Sequence, residues 1–263
     1  MTKIEWTQNP DGTPGKTWNP IVGCSIVSPG CTNCYAMRMA ARINKMTLCS
    51  HYEGLTQSVN GKPVWTGKVA LAPDHIFNAP LKWRKSTRVF VNSMGDLFHE
   101  DVPDEWIDRV FAVMLQSSQH TFQVLTKRAK RMREYCHRLY DLMPVNKLTS
   151  PFPKNCWLGV STEDQARADE RIPLLLETPA VVRFISAEPL LAPIDLRSGG
   201  YPDWVIVGGE SGPGKRPVNL DWMRSIRDQC AAAGVPLFVK QIDKKIPIPE
   251  DLMIREFPRK GGA

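Results

Sequence analysis

Seven apolar runs rich in β-branched and aromatic residues punctuate this chain, with helix-like stretches between them. They read TWNPIVGC, RVFVNSM, TFQVLT, CWLGVST, VVRFISA, DWVIVGG and VPLFVKQ. Strand–helix alternation of this kind is the pattern of a parallel sheet built from crossover units. The expected fold is therefore α/β, a partial or near-complete (β/α) barrel of about six or seven parallel strands, in a single domain over residues 1–263. Helices are expected at 35–44, at 103–117 with Pro103 in the first turn, and at 128–142, 163–176 and 220–233, the last closed by Gly234. Residues 45 to 85, rich in Gly, Pro, Asn and Thr, are too long for a connector and read as an insertion over one face. From about 243 the chain reads as a C-terminal tail, with REFPRKGGA as a frayed end.

Each run finishes in small or polar residues: Cys24, then Ser93-Met94-Gly95-Asp96, Thr126-Lys127, Ser161-Thr162-Glu163, Glu188, Gly208-Gly209-Glu210 and Lys240-Gln241. In parallel α/β sheets and barrels the active site lies at the carboxyl ends of the strands. These residues are expected to meet around one mouth, the cysteine loop among them.

Composition narrows the setting. At 263 residues, 42% hydrophobic and 23% charged, the chain can bury the core of one large domain. The opening MTKIEWTQNPDGTPGK resembles no signal peptide, and no stretch approaches the roughly 20 apolar residues of a membrane span, so a cytoplasmic protein without membrane attachment is expected. The formal net charge of +7 permits an anionic partner, nucleic acid being the commonest, without implying sequence specificity.

Of the seven cysteines, Cys49, Cys136, Cys156 and Cys230 are scattered, whereas Cys24, Cys31 and Cys34 share the stretch GCSIVSPGCTNCY. In a reducing compartment such a cluster points to a metal site rather than a disulfide framework. The C-x6-C-x2-C spacing, with Gly23, Pro29 and Gly30 allowing tight turns, suits a cubane iron–sulfur cluster, and three thiolates on a four-iron cluster leave one iron open to a small molecule. Structural zinc is the competing reading; it needs a fourth ligand, and His51 is the nearest histidine in sequence.

C-x-x-C followed directly by Tyr, after a first strand and opening a helix, resembles the cluster loop of radical S-adenosylmethionine (radical SAM) enzymes, whose commonest spacing is C-x3-C-x2-C; the six-residue gap departs from it. VFVNSMGDLFHEDVP and FQVLTKRAKRM are similar to segments of the spore photoproduct lyase and DNA-repair-photolyase-like branch. FISAEPLL, VIVGGESGPG and LFVKQ resemble phrases of a phage-associated radical-SAM-like family. The likeness spans Trp18 to Gln241 and is silent about substrate.

The resemblance implies a radical SAM-type barrel in which Cys24, Cys31 and Cys34 ligate a [4Fe-4S] cluster, with S-adenosylmethionine as the other cofactor and an electron donor as partner. It implies that Ser93, Met94, Gly95 and Asp96 bind the methionine amino group, that Tyr35 lies near the adenine, and that Thr126, Lys127 and Ser161, with Thr162, contact ribose and carboxylate. Glu188, Glu210 and Lys240, with Gln241, would face a nucleic acid or nucleotide substrate as catalytic groups. Plainer roles stand beside these. Tyr35 could simply be packed, Asp96 could cap a helix, Lys127 could belong to the solvated basic run KRAKRMR, and the glutamates could form ion pairs with Lys240 or an arginine. GGESGPG lacks the Gly-Lys-Ser/Thr ending of a P-loop. The rival from another class is a non-enzymatic zinc- or iron–sulfur-containing nucleic-acid-binding protein of phage origin, working with a protein partner.

Overall fold

A computed structural model describes residues 4–46, 49–142 and 153–258. The chain divides into two compact units, Met1–Leu125 and Thr126–Ala263.

In the first unit, β1 (Lys16–Trp18) is followed by β2 (Ile21–Val22), α1 (Tyr35–Lys45), the hairpin β3 (Thr56–Val59) and β4 (Lys62–Trp65), β5 (Ala70–Leu71), the short α2 (Asp74–Phe77), β6 (Arg88–Val91), α3 (Asp104–Gln116) and β7 (Thr121–Thr126). β1 pairs with β6 and β6 with β7, both in parallel. The expected first strand is broken in two. Pro20 has no N–H for a ladder, so the chain leaves β6 after Trp18, and Ile21–Val22 pairs antiparallel with β5. Trp18 stays fully buried, its indole N–H shared between the Ile76 and Phe77 carbonyls at 3.1 Å each. β6 stops earlier than expected because Asn92 takes a left-handed φ of +57°, which suits asparagine better than most residues. Pro103 is the N-cap of α3 rather than part of its first turn, with Asp104 and Glu105 set against the positive end of the helix dipole. The 45–85 segment covers α1: Tyr52, Leu55 and Trp65 join Ala36, Met37 and Ala40 in one buried cluster.

The second unit carries β8 (Cys156–Ser161), α5 (Gln165–Glu177), β9 (Val182–Ala187), β10 (Trp204–Gly208), α6 (Leu220–Ala233) and β11 (Leu237–Gln241), preceded by α4 (Ala129–Leu142). β8, β9, β10 and β11 pair in that order, all parallel. Every residue of β8 and β10 is buried, as strands covered on both faces require. At Gly159 a Cβ would come within 2.5 Å of the Phe184 ring, so glycine there admits the aromatic core of Trp157, Phe184 and Trp204. Asp164 caps α5 by accepting the Arg167 N–H at 3.0 Å, and Gly234 ends α6 at φ +66°, the expected C-cap.

The tail is less frayed than expected. Val239 N–H donates to the Ile254 carbonyl and Glu256 N–H to that of Leu237, so this segment pairs with β11; residues 259–263 lie outside the described ones. The α/β class and parallel strands are as expected, and the connectivity is compatible with a partial (β/α) barrel. Among the described residues no helix is long and apolar enough to cross a membrane.

Candidate functional site

The cysteine loop leaves β2 through Gly23 and ends at α1. Gly23 has φ +96° and a backbone contact so close that a Cβ would sit 2.1 Å from the Lys68 carbonyl oxygen, so only glycine fits. Its N–H donates to the Met94 carbonyl at 3.0 Å, and it forms a parallel bridge with Gly95. Cys24 follows, its Sγ 3.4 Å from the Ser25 carbonyl oxygen. Cys31 ends a 3₁₀ turn over Pro29–Cys31 and is buried, with Sγ 3.8 Å from Ser28 Oγ. The Cys34 N–H donates to the Cys31 carbonyl at 3.2 Å, and Cys34 is the N-cap of α1. Cys24 and Cys34 pack against the same apolar cluster, which includes Val22, Ala36 and Met94.

Three thiols on one loop, the last of them the N-cap of α1, are a donor set of the kind that ligates through sulfur. Their chemistry fits an iron–sulfur cluster. Among the described residues no three His, Cys, Asp or Glu side chains converge as a single metal ion requires. His51 packs on Tyr52 with ring centroids 4.7 Å apart, its Nδ1 buried without a hydrogen-bond partner among the described residues, and burial holds its pKa below the usual value. It lines a cavity of about 350 Å³ with Trp18, Asn19, Cys49 and Trp83.

Beside the loop, the turn after β6 carries four of the expected cofactor residues. Tyr35, exposed at the start of α1, donates its hydroxyl to the Ser93 carbonyl at 2.9 Å. Met94 is buried in the apolar cluster, and its carbonyl accepts from Gly23. A carbonyl has two lone pairs, so Ser93 and Met94 each keep acceptor capacity for a ligand. Gly95 meets the loop backbone to backbone: a Cβ there would lie 2.9 Å from the Gly23 carbonyl oxygen. Asp96 is buried and accepts the Phe98 N–H at 3.0 Å, so it caps a turn and not a helix as in its plainer reading.

Two residues that the sequence did not single out hold this arrangement. Asn19 Oδ1 accepts from Ser93 Oγ and from the Met94 N–H, both at 3.0 Å, fixing the turn to the end of β1. His99, 2% exposed, accepts the Asp101 N–H on Nδ1 at 3.1 Å, so its proton sits on Nε2. That Nε2 lies 3.0 Å from Ser25 Oγ, inside the cysteine loop. The signals were the Asn of TWNP and the His of DLFHED, which local pattern does not separate from ordinary turn residues.

In the second unit several of the expected residues have partners within the protein. Thr126 is buried, its hydroxyl accepting the Arg128 N–H at 2.9 Å at the start of α4; Lys127 beside it is half-buried. The Ser161 carbonyl accepts from Arg171 Nη1 at 2.8 Å, and the buried Thr162 hydroxyl has no hydrogen-bond partner among the described residues. Glu163, fully buried, meets Arg171 at 3.2 Å. Glu188 Oε1 accepts from Lys240 Nζ at 2.5 Å, with Gln241 Nε2 3.5 Å away. Glu210 takes both the N–H and the guanidinium of Arg216, a bidentate grip that closes the GGESGPG loop on itself. Thus Glu188, Lys240 and Gln241 come together, whereas Glu210 is engaged by Arg216, an arginine with no motif to mark it.

The family model described as "Protein of unknown function (DUF5131)" matches residues 1–252, and the chain belongs to that family. No curated protein and no solved structure matches the chain.

Proposed function

We propose that this DUF5131 chain is a radical SAM enzyme built on a barrel of that type, with Cys24, Cys31 and Cys34 holding a [4Fe-4S] cluster, S-adenosylmethionine as the second cofactor, and a nucleic acid or nucleotide as substrate. The observation that carries the reading is the cysteine trio on one loop, locked at one end to the Gly95 turn and at the other to the N terminus of α1. When bound, such a cluster supplies the electron that splits the sulfonium of S-adenosylmethionine and releases a hydrogen-abstracting 5'-deoxyadenosyl radical.

This chain's own residues bind and orient. The Ser93 and Met94 carbonyls and the Asp96 carboxylate form an acceptor set for the methionine ammonium, with charge complementarity strongest at Asp96. Tyr35 holds the Ser93 carbonyl and so fixes that set relative to α1. Thr126, Lys127 and Ser161 serve ribose and carboxylate in this reading. The Glu188–Lys240 pair keeps a carboxylate and an ammonium side by side, able to hold or move a proton at the substrate. Glu210 shapes the substrate loop through Arg216. The net charge of +7 supports an anionic substrate.

The test incubates anaerobically reconstituted, chemically reduced protein with S-adenosylmethionine and quantifies 5'-deoxyadenosine by mass spectrometry. Product is expected from the unaltered chain, with less from Asp96→Asn at subsaturating cofactor and none from Cys31→Ala. A reconstituted chain that leaves S-adenosylmethionine intact over many hours overturns the reading.

A further inference from the structure

Helix α1 buries Ala36, Met37 and Ala40 on one side. On the opposite side Arg38, Arg42 and Lys45, at helical spacings of four and three, line a groove of about 530 Å³ against the β3–β4 hairpin. The hairpin side is Thr56, Gln57 and Ser58, hydrogen-bonding side chains without charge, and no carboxylate lines the groove among the described residues. Arg42 and Lys45 are exposed, and neither has an ion-pair partner among the described residues. Their local role, facing the negative end of the α1 dipole, accounts for two cations in the last turn but not for a neutral, polar wall opposite them.

We propose that this groove is a docking site for a nucleic-acid strand, with its phosphodiester backbone along the Arg38–Arg42–Lys45 row. Spacing favours a strand over a single anion or an acidic peptide. Seven residues of helix rise about 10.5 Å. One strand of a duplex presents a phosphate about every 3.4 Å along its axis, so the row spans about three phosphate spacings. Flexible cationic side chains at that pitch neutralise successive charges, while the Thr, Gln and Ser hydroxyl and amide groups reach sugar and phosphate oxygens. The site is sequence-independent, since nothing in it reads base edges. It gives the substrate class of the proposed function a surface on the same helix that Cys34 caps. In that respect it rests on that reading, but it is tested by binding alone, without cluster or cofactor.

The experiment measures anisotropy of a labelled 12-nucleotide DNA strand, its RNA equivalent and the DNA duplex with the full chain, titrated across salt concentrations. For the paired substitution Arg42→Ala and Lys45→Ala, circular dichroism should report unchanged helicity, because alanine favours helix. Each lost phosphate contact lowers the slope of log affinity against log salt by about 0.7 to 0.9, so the pair should lower it by about 1.4 to 1.8 and weaken binding at low salt at least tenfold. Lys130→Ala with Lys154→Ala removes the same charge elsewhere and should leave the slope within error. An unchanged slope in the α1 pair, an equal fall in the control pair, or stronger competition by anionic phospholipid vesicles than by oligonucleotide overturns the proposal. Failure here with intact S-adenosylmethionine cleavage would remove the groove and leave the enzyme reading standing; the reverse result would do the opposite.

Discussion

Replacing Gly23 by alanine sets two penalties against one gain. At φ +96° an L-residue costs about 1–2 kcal/mol relative to glycine. The new Cβ would also stand 2.1 Å from the Lys68 carbonyl oxygen and 3.1 Å from both the Lys68 carbonyl carbon and the Val69 Cα. These are backbone atoms on the far side of the β2–β5 pairing, so no side chain can swing away. Forcing them apart adds about 1–3 kcal/mol. Fewer unfolded conformers return about 0.4–1 kcal/mol. The net loss is about 1–5 kcal/mol, centred on about 3, and the clash is its largest part. Gly61→Ala supplies the comparison: Gly61 sits at φ +74° in the hairpin turn after Asn60 with nothing within 4 Å, so it should lose only about 1 kcal/mol. For a chain of this size each kcal/mol moves Tm by about 2–4 °C, which separates the two variants in calorimetry and in urea unfolding. Equal losses for Gly23→Ala and Gly61→Ala would refute the close-approach argument and, with it, the claim that this glycine sets the base of the cysteine loop.

Arg171→Met removes the guanidinium that meets the fully buried Glu163 carboxylate and should cost about 3–5 kcal/mol in urea unfolding, while Glu163→Leu combined with Arg171→Met should recover most of it; a single variant as stable as the double would contradict the pairing. A disulfide reagent applied to the native, metal-free chain should modify Cys24, Cys34 and Cys49 well before Cys136, Cys156 and Cys230, as read by peptide mass mapping. The last three are buried, and burial pushes their thiol pKa values up, that of Cys230 to about 12. Early labelling of Cys156 would be inconsistent with its packing. Burial, and then the nearby Cys49, push the Tyr52 phenol up to about 12. Its folded value lies above the unfolded one of about 10, so its contribution is complete below pH 10 and disappears as pH rises toward 12. The urea midpoint should fall over that window more in the unaltered chain than in Tyr52→Phe, and parallel profiles would sink the assignment.

The sequence was most legible where chemistry is local. Runs such as CWLGVS and WVIVG are strands because uninterrupted apolar residues suit a parallel sheet covered on both faces, and Gly234 ends a helix because only a left-handed residue turns the chain there. It was less legible where a single residue overrides a run. TWNPIVGC reads as one strand by propensity, yet the missing N–H of Pro20 sends its two halves into different sheets. Partnerships across long separations left no local trace. His99 meets Ser25 from 74 residues away, and Ser93 meets Asn19 from 74. Each pairing arises because strand ends and turns converge in three dimensions, which periodicity does not encode. The cysteine trio was visible because its ligands are close in sequence, while the residues that support it, Asn19 and His99, were not.

The central claim is that three thiols on one loop hold a four-iron cluster. Iron and acid-labile sulfide per chain, measured after anaerobic reconstitution and desalting, test it most directly. About four of each are expected in the unaltered chain, with a large loss on replacing any one of Cys24, Cys31 or Cys34 by alanine and none on replacing Cys49. Stoichiometric zinc without sulfide, or a cluster that survives all three replacements, would contradict it.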